Sequence, residues 1–96
     1  MPISLCVLLW AHPGQHDALV DYEDRVLALV PEHGGQLLQR ARSDGRDAQP
    51  LEIQVLRFGS QTDLDGYLDD PRRLALAEVR DRAVARTEML SVTLHG

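Results

Sequence analysis

The sequence contains no lysine and no asparagine, and Cys6 is the only cysteine among its 96 residues. The absence of lysine excludes Schiff-base and lysine general-base chemistry. A single cysteine excludes an internal disulfide and a thiolate-rich metal site. The use of arginine alone for positive charge is also what a GC-rich coding sequence produces, so it does not by itself indicate a function.

Clustered positive charge is missing as well. The net charge is −5, and the ten arginines are spread between Arg25 and Arg86 without a basic block. Binding of nucleic-acid phosphates requires clustered cations that displace counterions. We therefore expect no nucleic-acid partner.

The sequence also has no apolar segment of membrane-spanning length. The most apolar stretch, Ile3 to Ala11, is too short to cross a bilayer. No lysine or arginine precedes Arg25 to form the positive region of a signal peptide. We expect a cytoplasmic protein without a membrane partner, folded as one domain over residues 1–96.

Hydrophobic periodicity predicts a strand, a helix and a hairpin in the first part of the chain. Ile3 to Trp10 is apolar at nearly every position, which is typical of a strand covered on both faces, with a buried helix segment as the alternative. From Gln15 the apolar residues recur every three or four positions, as on one face of a helix, until Pro31 stops it. Gln36–Arg42 and the alternating segment Leu51–Phe58 predict two strands joined as a hairpin.

The rest of the chain predicts a second helical region and a last strand. Ser60 is placed to cap a helix, and Asp70-Pro71 splits it by starting a new one that runs through Ala83. Glu88 to Leu94 alternates as a strand. The order β-α-β-β-α-β is that of an α+β, ferredoxin-like fold with a four-stranded antiparallel sheet.

This fold places both helical regions on one face of the sheet, so the other face needs a cover. The first strand is apolar on both faces, and a domain of this size buries only about 60–65% of its unfolded surface. A second copy of the sheet is the simplest cover. We therefore predict a homodimer formed through the helix-free sheet face.

Several landmarks resemble those of the dimeric α+β barrel superfamily. They are Tyr22, His33-Gly34-Gly35, Phe58-Gly59-Ser60, Tyr67 and Asp69-Asp70-Pro71. Their order and spacing over nearly the whole chain are most similar to a small bacterial family of unknown function within that superfamily. The resemblance implies a ferredoxin-like chain that closes a barrel with its partner.

The resemblance also implies a range of functions. Relatives include cofactor-free antibiotic-biosynthesis monooxygenases, polyketide cyclases, muconolactone-type isomerases and haem-degrading oxygenases. The chain has no asparagine, so it does not match the Asn-Trp-His set of the haem-degrading branch, and an asparagine-based monooxygenase mechanism is also disfavoured. What the resemblance implies is a small apolar or aromatic ligand in the helix–sheet cleft, with no cofactor.

Three residues are the predicted catalytic groups. The ordinary pKa of histidine is close to neutral pH, so its side chain is able to remove a proton from an activated carbon or phenol. We predict His12 or His33 as this base. Tyr22 is predicted to orient the substrate beside it. The alternative is that the tyrosine belongs to the core and the histidines cap a helix end.

Three further residues are predicted to bind the ligand. Tyr67 and Trp10 supply aromatic surface, and Arg57 would hold an anionic oxygen. Arg57 stands where the resembled family has an acidic residue before the phenylalanine. If the cleft is filled by side chains instead, the chain is a non-catalytic effector-binding or structural dimer module.

A metal site is not predicted. His12 and His16 have the spacing that presents two imidazoles on one helix face, but Pro13 and Gly14 lie between them and disfavour a regular helix. A third ligand would have to come from a distant part of the chain. We expect no bound metal.

Overall fold

A computed structural model of the chain describes residues 1–95 and contains one four-stranded antiparallel sheet with a layer of helices on one face. The strands lie in the order β2-β3-β1-β4. Their bounds are β1 Ile3–Ala11, β2 Gly35–Arg42, β3 Glu52–Phe58 and β4 Val84–Val92. The helices are α1 His16–Leu27, α2 Gln61–Leu68, α3 Pro71–Leu74 and α4 Ala77–Ala83. The predicted ferredoxin-like fold is confirmed.

Strand β1 lies in the interior of the sheet, where it pairs with both β3 and β4. Cys6 is opposite Val55 on one side and Leu90 on the other. Because side chains alternate along a strand, Leu5, Val7 and Leu9 face the helices and are buried. Cys6, Leu8 and Trp10 face the other side, and they are only partly buried.

The predicted helix stops and caps are present. A 3₁₀ turn over Val30–His33 follows α1, and Gly34 ends it in the left-handed conformation with φ of 68°. The Ser60 side chain accepts the Asp63 N–H at the start of α2. The Asp70 side chain accepts the Arg72 N–H at the start of α3, which confirms the split of the second helical region.

The helical region ends at Ala83 as predicted, but it contains a further break, and the strand after it starts earlier than predicted. The Leu76 N–H bonds the Arg73 carbonyl three residues back, so the chain tightens and α3 ends after one turn. Strand β4 begins at Val84 and ends at Val92, whereas the sequence predicted Glu88 to Leu94. The reason is pairing: β1 offers partners as far as Ala11, opposite Val84, so the strand starts directly after the helix ends at Ala83.

The molecule is thin, with extents of 39 × 33 × 16 Å, as expected for one sheet and one helical layer. The helix-free face therefore has no cover within residues 1–95. Half-buried or exposed apolar side chains form its centre, and we call them the bare sheet face: Cys6, Leu8, Ile53, Val55 and Leu90. Within the same residues, no helix combines the length and apolar character needed to cross a membrane.

Candidate functional site

A cavity of about 40 Å³ lies between the sheet and the helices. It has room for water but is far smaller than the roughly 300–1,000 Å³ of typical ligand pockets. Arg80 and Met89 line it from exposed positions on α4 and β4, so it opens to solvent on that side. Apolar residues of the sheet form its floor: Leu5, Val7, Leu9, Leu56 and Phe58.

A carboxyl group lies in this cleft. Glu23 of α1 lines the cavity and is only 5% exposed. Its Oε1 accepts a hydrogen bond of 2.8 Å from Gln54 Nε2 on β3. Burial raises the pKa of Glu23, the Gln54 hydrogen bond opposes that rise, and the negative charge of Glu52 adds to it. The charges of Arg73 and Arg40 also lower the pKa, but burial prevails. A buried carboxyl with a raised pKa is suited to exchange protons.

The neighbouring carboxylate, Glu52, is held in its charged form. Glu52 is fully buried and accepts two 2.8 Å hydrogen bonds from Arg40, while Arg42 lies 3.2 Å from its Oε2. Burial alone would raise the pKa of Glu52, but the hydrogen bonds from Arg40 and Gln54 and the two arginine charges lower it. Arg40 also contacts Asp24 at 2.6 Å. Glu52 is therefore a fixed negative charge, and Gln54 joins it to Glu23.

Both tyrosines predicted for the site line the cavity. Tyr22 is 1% exposed and Tyr67 is 6% exposed, and the Tyr67 ring packs 5.6 Å from the Phe58 ring. Burial raises the pKa of Tyr67 to about 12, against the lowering effect of Arg73, and it raises the pKa of Tyr22 as well. Both phenols therefore stay protonated at neutral pH and serve as hydrogen-bond donors.

Arg73 brings a positive charge to the same cleft. Its Cζ lies 5.2 Å from the centre of the Tyr67 ring, which orients the guanidinium. Its Nε is buried and has no hydrogen-bond partner within residues 1–95, and the same holds for Thr87 Oγ1 on β4. Both residues line the cavity. Each unsatisfied buried polar group costs about 1–3 kcal/mol, so both are features that need a physical explanation.

His33 lies beside the cleft but does not line it. Its Nε2 is 2.7 Å from Asp70 Oδ2, and its ring meets the Tyr67 ring edge-on at 6.3 Å. Arg72 also binds the buried Asp70, through two guanidinium bonds and its backbone N–H. These hydrogen bonds hold the pKa of Asp70 well below its usual range, chiefly through Arg72 and then through His33. His33 thus ties the 3₁₀ turn to the start of α3.

The other predicted site residues lie away from the cavity. Trp10 is on the helix-free side, where Arg86 stacks on it at 4.6 Å and its Nε1 donates to the Ala48 carbonyl. Arg57 is exposed and precedes the core residue Phe58, so its side chain also points to the helix-free side. His12 follows β1, and its backbone N–H donates to Ala83. The cleft therefore gathers Tyr22 and Tyr67 but not these three, whose roles stay predictions.

Five polar lining residues were not predicted: Glu23, Gln54, Arg73, Arg80 and Thr87. Glu23 had a detectable signal, because it lies four residues after Leu19 and three before Val26, on the apolar face of α1. Gln54 had one too, since it alternates with the core residues Leu56 and Phe58. Within residues 1–95, no group of three or more His, Cys, Asp or Glu side chains is placed to hold a metal ion.

Solved structures share this architecture over nearly the whole chain. A DABB family protein with a ferredoxin-like fold from Mesorhizobium loti is 18% identical, with 99% of this chain and 98% of that chain covered and a TM-score of 0.70. The chain therefore has a ferredoxin-like fold. The resemblance noted in the sequence is confirmed at the level of fold.

Two further solved structures are similar in fold. A dimeric ferredoxin-like protein of unknown function from Bacteroides fragilis is 9% identical, with 97% and 96% of the two chains covered and a TM-score of 0.71. SnoaB, a cofactor-independent oxygenase from Streptomyces nogalater, is 14% identical, with 99% and 94% covered and a TM-score of 0.72. No protein-family model matches the chain. No curated protein matches it either.

Proposed function

We propose that this α+β barrel chain binds a small apolar or aromatic molecule in its helix–sheet cleft and performs cofactor-independent acid–base chemistry on it. The observation that carries the proposal is Glu23, a buried carboxyl with a raised pKa at an apolar cavity. Oxygenation, cyclisation and isomerisation of an activated phenol or ketone all begin with removal of one proton. The likeness in fold to a cofactor-independent oxygenase supports this class.

In the proposed step, the Glu23 carboxylate takes a proton from an acidic C–H or O–H group of the ligand. The electron pair of that bond moves onto the ligand oxygen, and the carboxyl becomes neutral. The total charge of the cleft is unchanged, which suits an apolar site. Tyr22 and Tyr67, both protonated, orient the ligand oxygen as hydrogen-bond donors.

The test is catalysed hydrogen–deuterium exchange at the activated carbon of 2-tetralone, an enolisable aromatic ketone, followed by NMR in heavy water. We expect Glu23→Gln to lower the exchange rate by about 10²–10⁴-fold, the usual contribution of a general base. Glu78→Gln, at an exposed position on α4, is the matched control and should match the wild type. Loss of exchange in His33→Ala with full exchange in Glu23→Gln would assign the base to His33 instead.

The small size of the cavity favours a second candidate, a non-catalytic effector-binding module. A volume of about 40 Å³ admits an aromatic molecule only if the lining side chains move. A binding module needs that movement once for each ligand, whereas an enzyme needs it at every turnover. Binding of 2-tetralone without enhanced exchange by the wild type would favour the module.

The same proposal includes a homodimer formed through the bare sheet face. Its apolar centre lies opposite the helical layer and is uncovered within residues 1–95. Burying it against a second copy removes apolar surface from water, at roughly 25 cal/mol per Å². The dimeric description of a protein with the same fold supports this assembly.

A further inference from the structure

Two polar groups without partners line the same small cavity from different elements. Arg73 comes from α3 and Thr87 from β4, and the Arg73 Nε and Thr87 Oγ1 atoms are both buried. Neither finds a hydrogen-bond acceptor or donor within residues 1–95. Buried polar groups are normally hydrogen-bonded, so two unpaired groups at one cavity indicate a bound molecule that supplies their missing partner.

The positive charge of Arg73 indicates the charge of that bound molecule. A guanidinium keeps its proton under all physiological conditions. Arg73 has no ion pair within residues 1–95, whereas Arg80, the other arginine at the cavity, pairs with Asp81 at 3.8 Å. The Arg73 charge acts on Glu23 only from beyond ion-pair distance, so Arg73 has no direct anionic partner in the described part of the chain and its buried Nε is left to donate to an anion. Its stacking on Tyr67 fixes the orientation of the group before a ligand arrives.

The surroundings limit the anion to a single charge. The floor of the cavity is apolar, and the carboxyl of Glu23 lies at the same cavity. A doubly charged phosphate would meet one guanidinium, an apolar surface and that carboxyl, and its second charge would be left unpaired. A single anionic oxygen on an apolar body matches one guanidinium and one hydroxyl.

We propose that Arg73 and Thr87 form a subsite for one anionic oxygen of the ligand, which makes the ligand class an apolar or aromatic molecule bearing a phenolate, enolate or carboxylate. This inference rests on the proposed function of the cleft as a ligand site. The guanidinium donates through Nε to the oxygen, and the threonine hydroxyl donates to the same atom. A neutral molecule of the same shape lacks the partner that both groups need.

Three probes of similar size test the subsite by calorimetry: 4-nitrophenol, 4-nitrobenzoate and 4-nitroanisole. The first ionises near neutral pH, the second is a carboxylate, and the third carries no acidic group. We expect the wild type to bind one or both anions at least tenfold more tightly than 4-nitroanisole. If the oxygen is a phenolate, bound 4-nitrophenol is also more ionised than the free probe, which its absorbance reports directly.

The variants separate the subsite from the rest of the cleft. Arg73→Gln should weaken anion binding at least tenfold and Thr87→Val about threefold, while 4-nitroanisole binding changes less than twofold. Arg73→Lys, which keeps the charge, should restore part of the loss. Arg82→Gln, at an exposed arginine on α4 outside the cavity lining, is the control. Circular dichroism confirms that each variant is folded.

The possible failures are distinguishable. If the wild type binds all three probes equally, or if Arg73→Gln leaves the preference for anions intact, the subsite is wrong and the ligand cleft stands. If the wild type binds none of the three, the cleft is not a ligand site of this class, and both proposals fall. Preference for 4-nitrobenzoate over 4-nitrophenol assigns a carboxylate, and the reverse assigns a phenolate or enolate.

Discussion

Gln54 lies between two buried carboxyl groups, with its Nε2 at 2.8 Å from Glu23 Oε1 and 3.1 Å from Glu52 Oε1. One amide therefore holds an ion-paired carboxylate and an unpaired carboxyl in a fixed relationship. Glu52 is ion-paired with Arg40 and Arg42, whereas Glu23 is hydrogen-bonded to the amide and feels the charge of Arg73 without a direct ion pair within residues 1–95. This arrangement pushes the pKa values of the two carboxyl groups apart, which is how one site keeps one acid charged and another poised for proton transfer.

We predict that Gln54→Met moves the pH dependence of catalysed exchange to higher pH. The amide donates to Glu23 and lowers its pKa, so its removal raises that pKa further. A base is active above its pKa, so the exchange rate below the wild-type midpoint should fall several-fold while the limiting rate at high pH is retained. An equal loss at every pH would show that Gln54 acts on folding and not on Glu23.

A control for this shift lies on the same network. Asp24→Asn removes the negative charge of one partner of Arg40 at the surface while leaving the hydrogen bond between Gln54 and Glu23 in place. The pH midpoint of exchange in this variant should stay close to that of the wild type. Measurement of both profiles with 2-tetralone separates the effect of the amide from a general change in charge.

A second prediction concerns acid stability. The pKa of Asp70 is well below its ordinary value of 3.8, first through Arg72 and then through His33, so the unfolded chain takes up this proton before the folded one does. The stabilisation is therefore present above the unfolded pKa and is lost as the pH falls from about 5 to about 2. Asp70→Asn keeps a capping oxygen but loses the charge. Its Tm should be several degrees lower at pH 7, and the gap should close in acid.

Thermal unfolding followed by circular dichroism across this pH range checks the prediction. Asp69→Asn, at the exposed neighbouring position, is the matched control and should follow the wild type throughout. A constant gap between Asp70→Asn and the wild type at every pH would mean that the charge of Asp70 does not contribute. The rate of 2-tetralone exchange catalysed by His33→Ala shows whether His33 contributes to stability alone.

The strand and helix order could be predicted because burial fixes periodicity. Leu56 and Phe58 alternate on one face, and the cap residues Ser60 and Asp70 mark helix starts, whatever the tertiary detail. The position of β4 could not be predicted, because its start at Val84 depends on how far β1 extends as a pairing partner. Local propensity does not contain that information.

The candidate site was only half predictable for a related reason. Tyr22 and Tyr67 lie on helix faces that also carry leucines, so their orientation follows from the period. Trp10 lies near the end of a strand that is apolar on both faces, and alternation there does not tell which side faces the helices. Arg73 sits in a single-turn helix whose direction depends on the Asp70 cap and the break before α4. Its place at the cavity is a property of tertiary structure.

The last prediction is that Val55→Glu converts a dimer into a monomer. Val55 lies on the interior strand β3 and faces the bare sheet face beside Cys6. In a monomer the new carboxylate points to water and costs little, but in the dimer it would be buried without a partner. Native mass spectrometry at micromolar concentration should show a dimeric wild type and a monomeric variant.

Two controls make the result specific to this face. Leu74→Glu places the same charge at a 55% exposed apolar position on α3, and it should remain dimeric. Cys6, the only thiol, gives an internal readout, because a dimer through this face covers it. Its reaction with a thiol reagent should be slow in the wild type and fast in Val55→Glu. A monomeric wild type, or a thiol equally reactive in both proteins, would show that the bare sheet face is not the dimer interface.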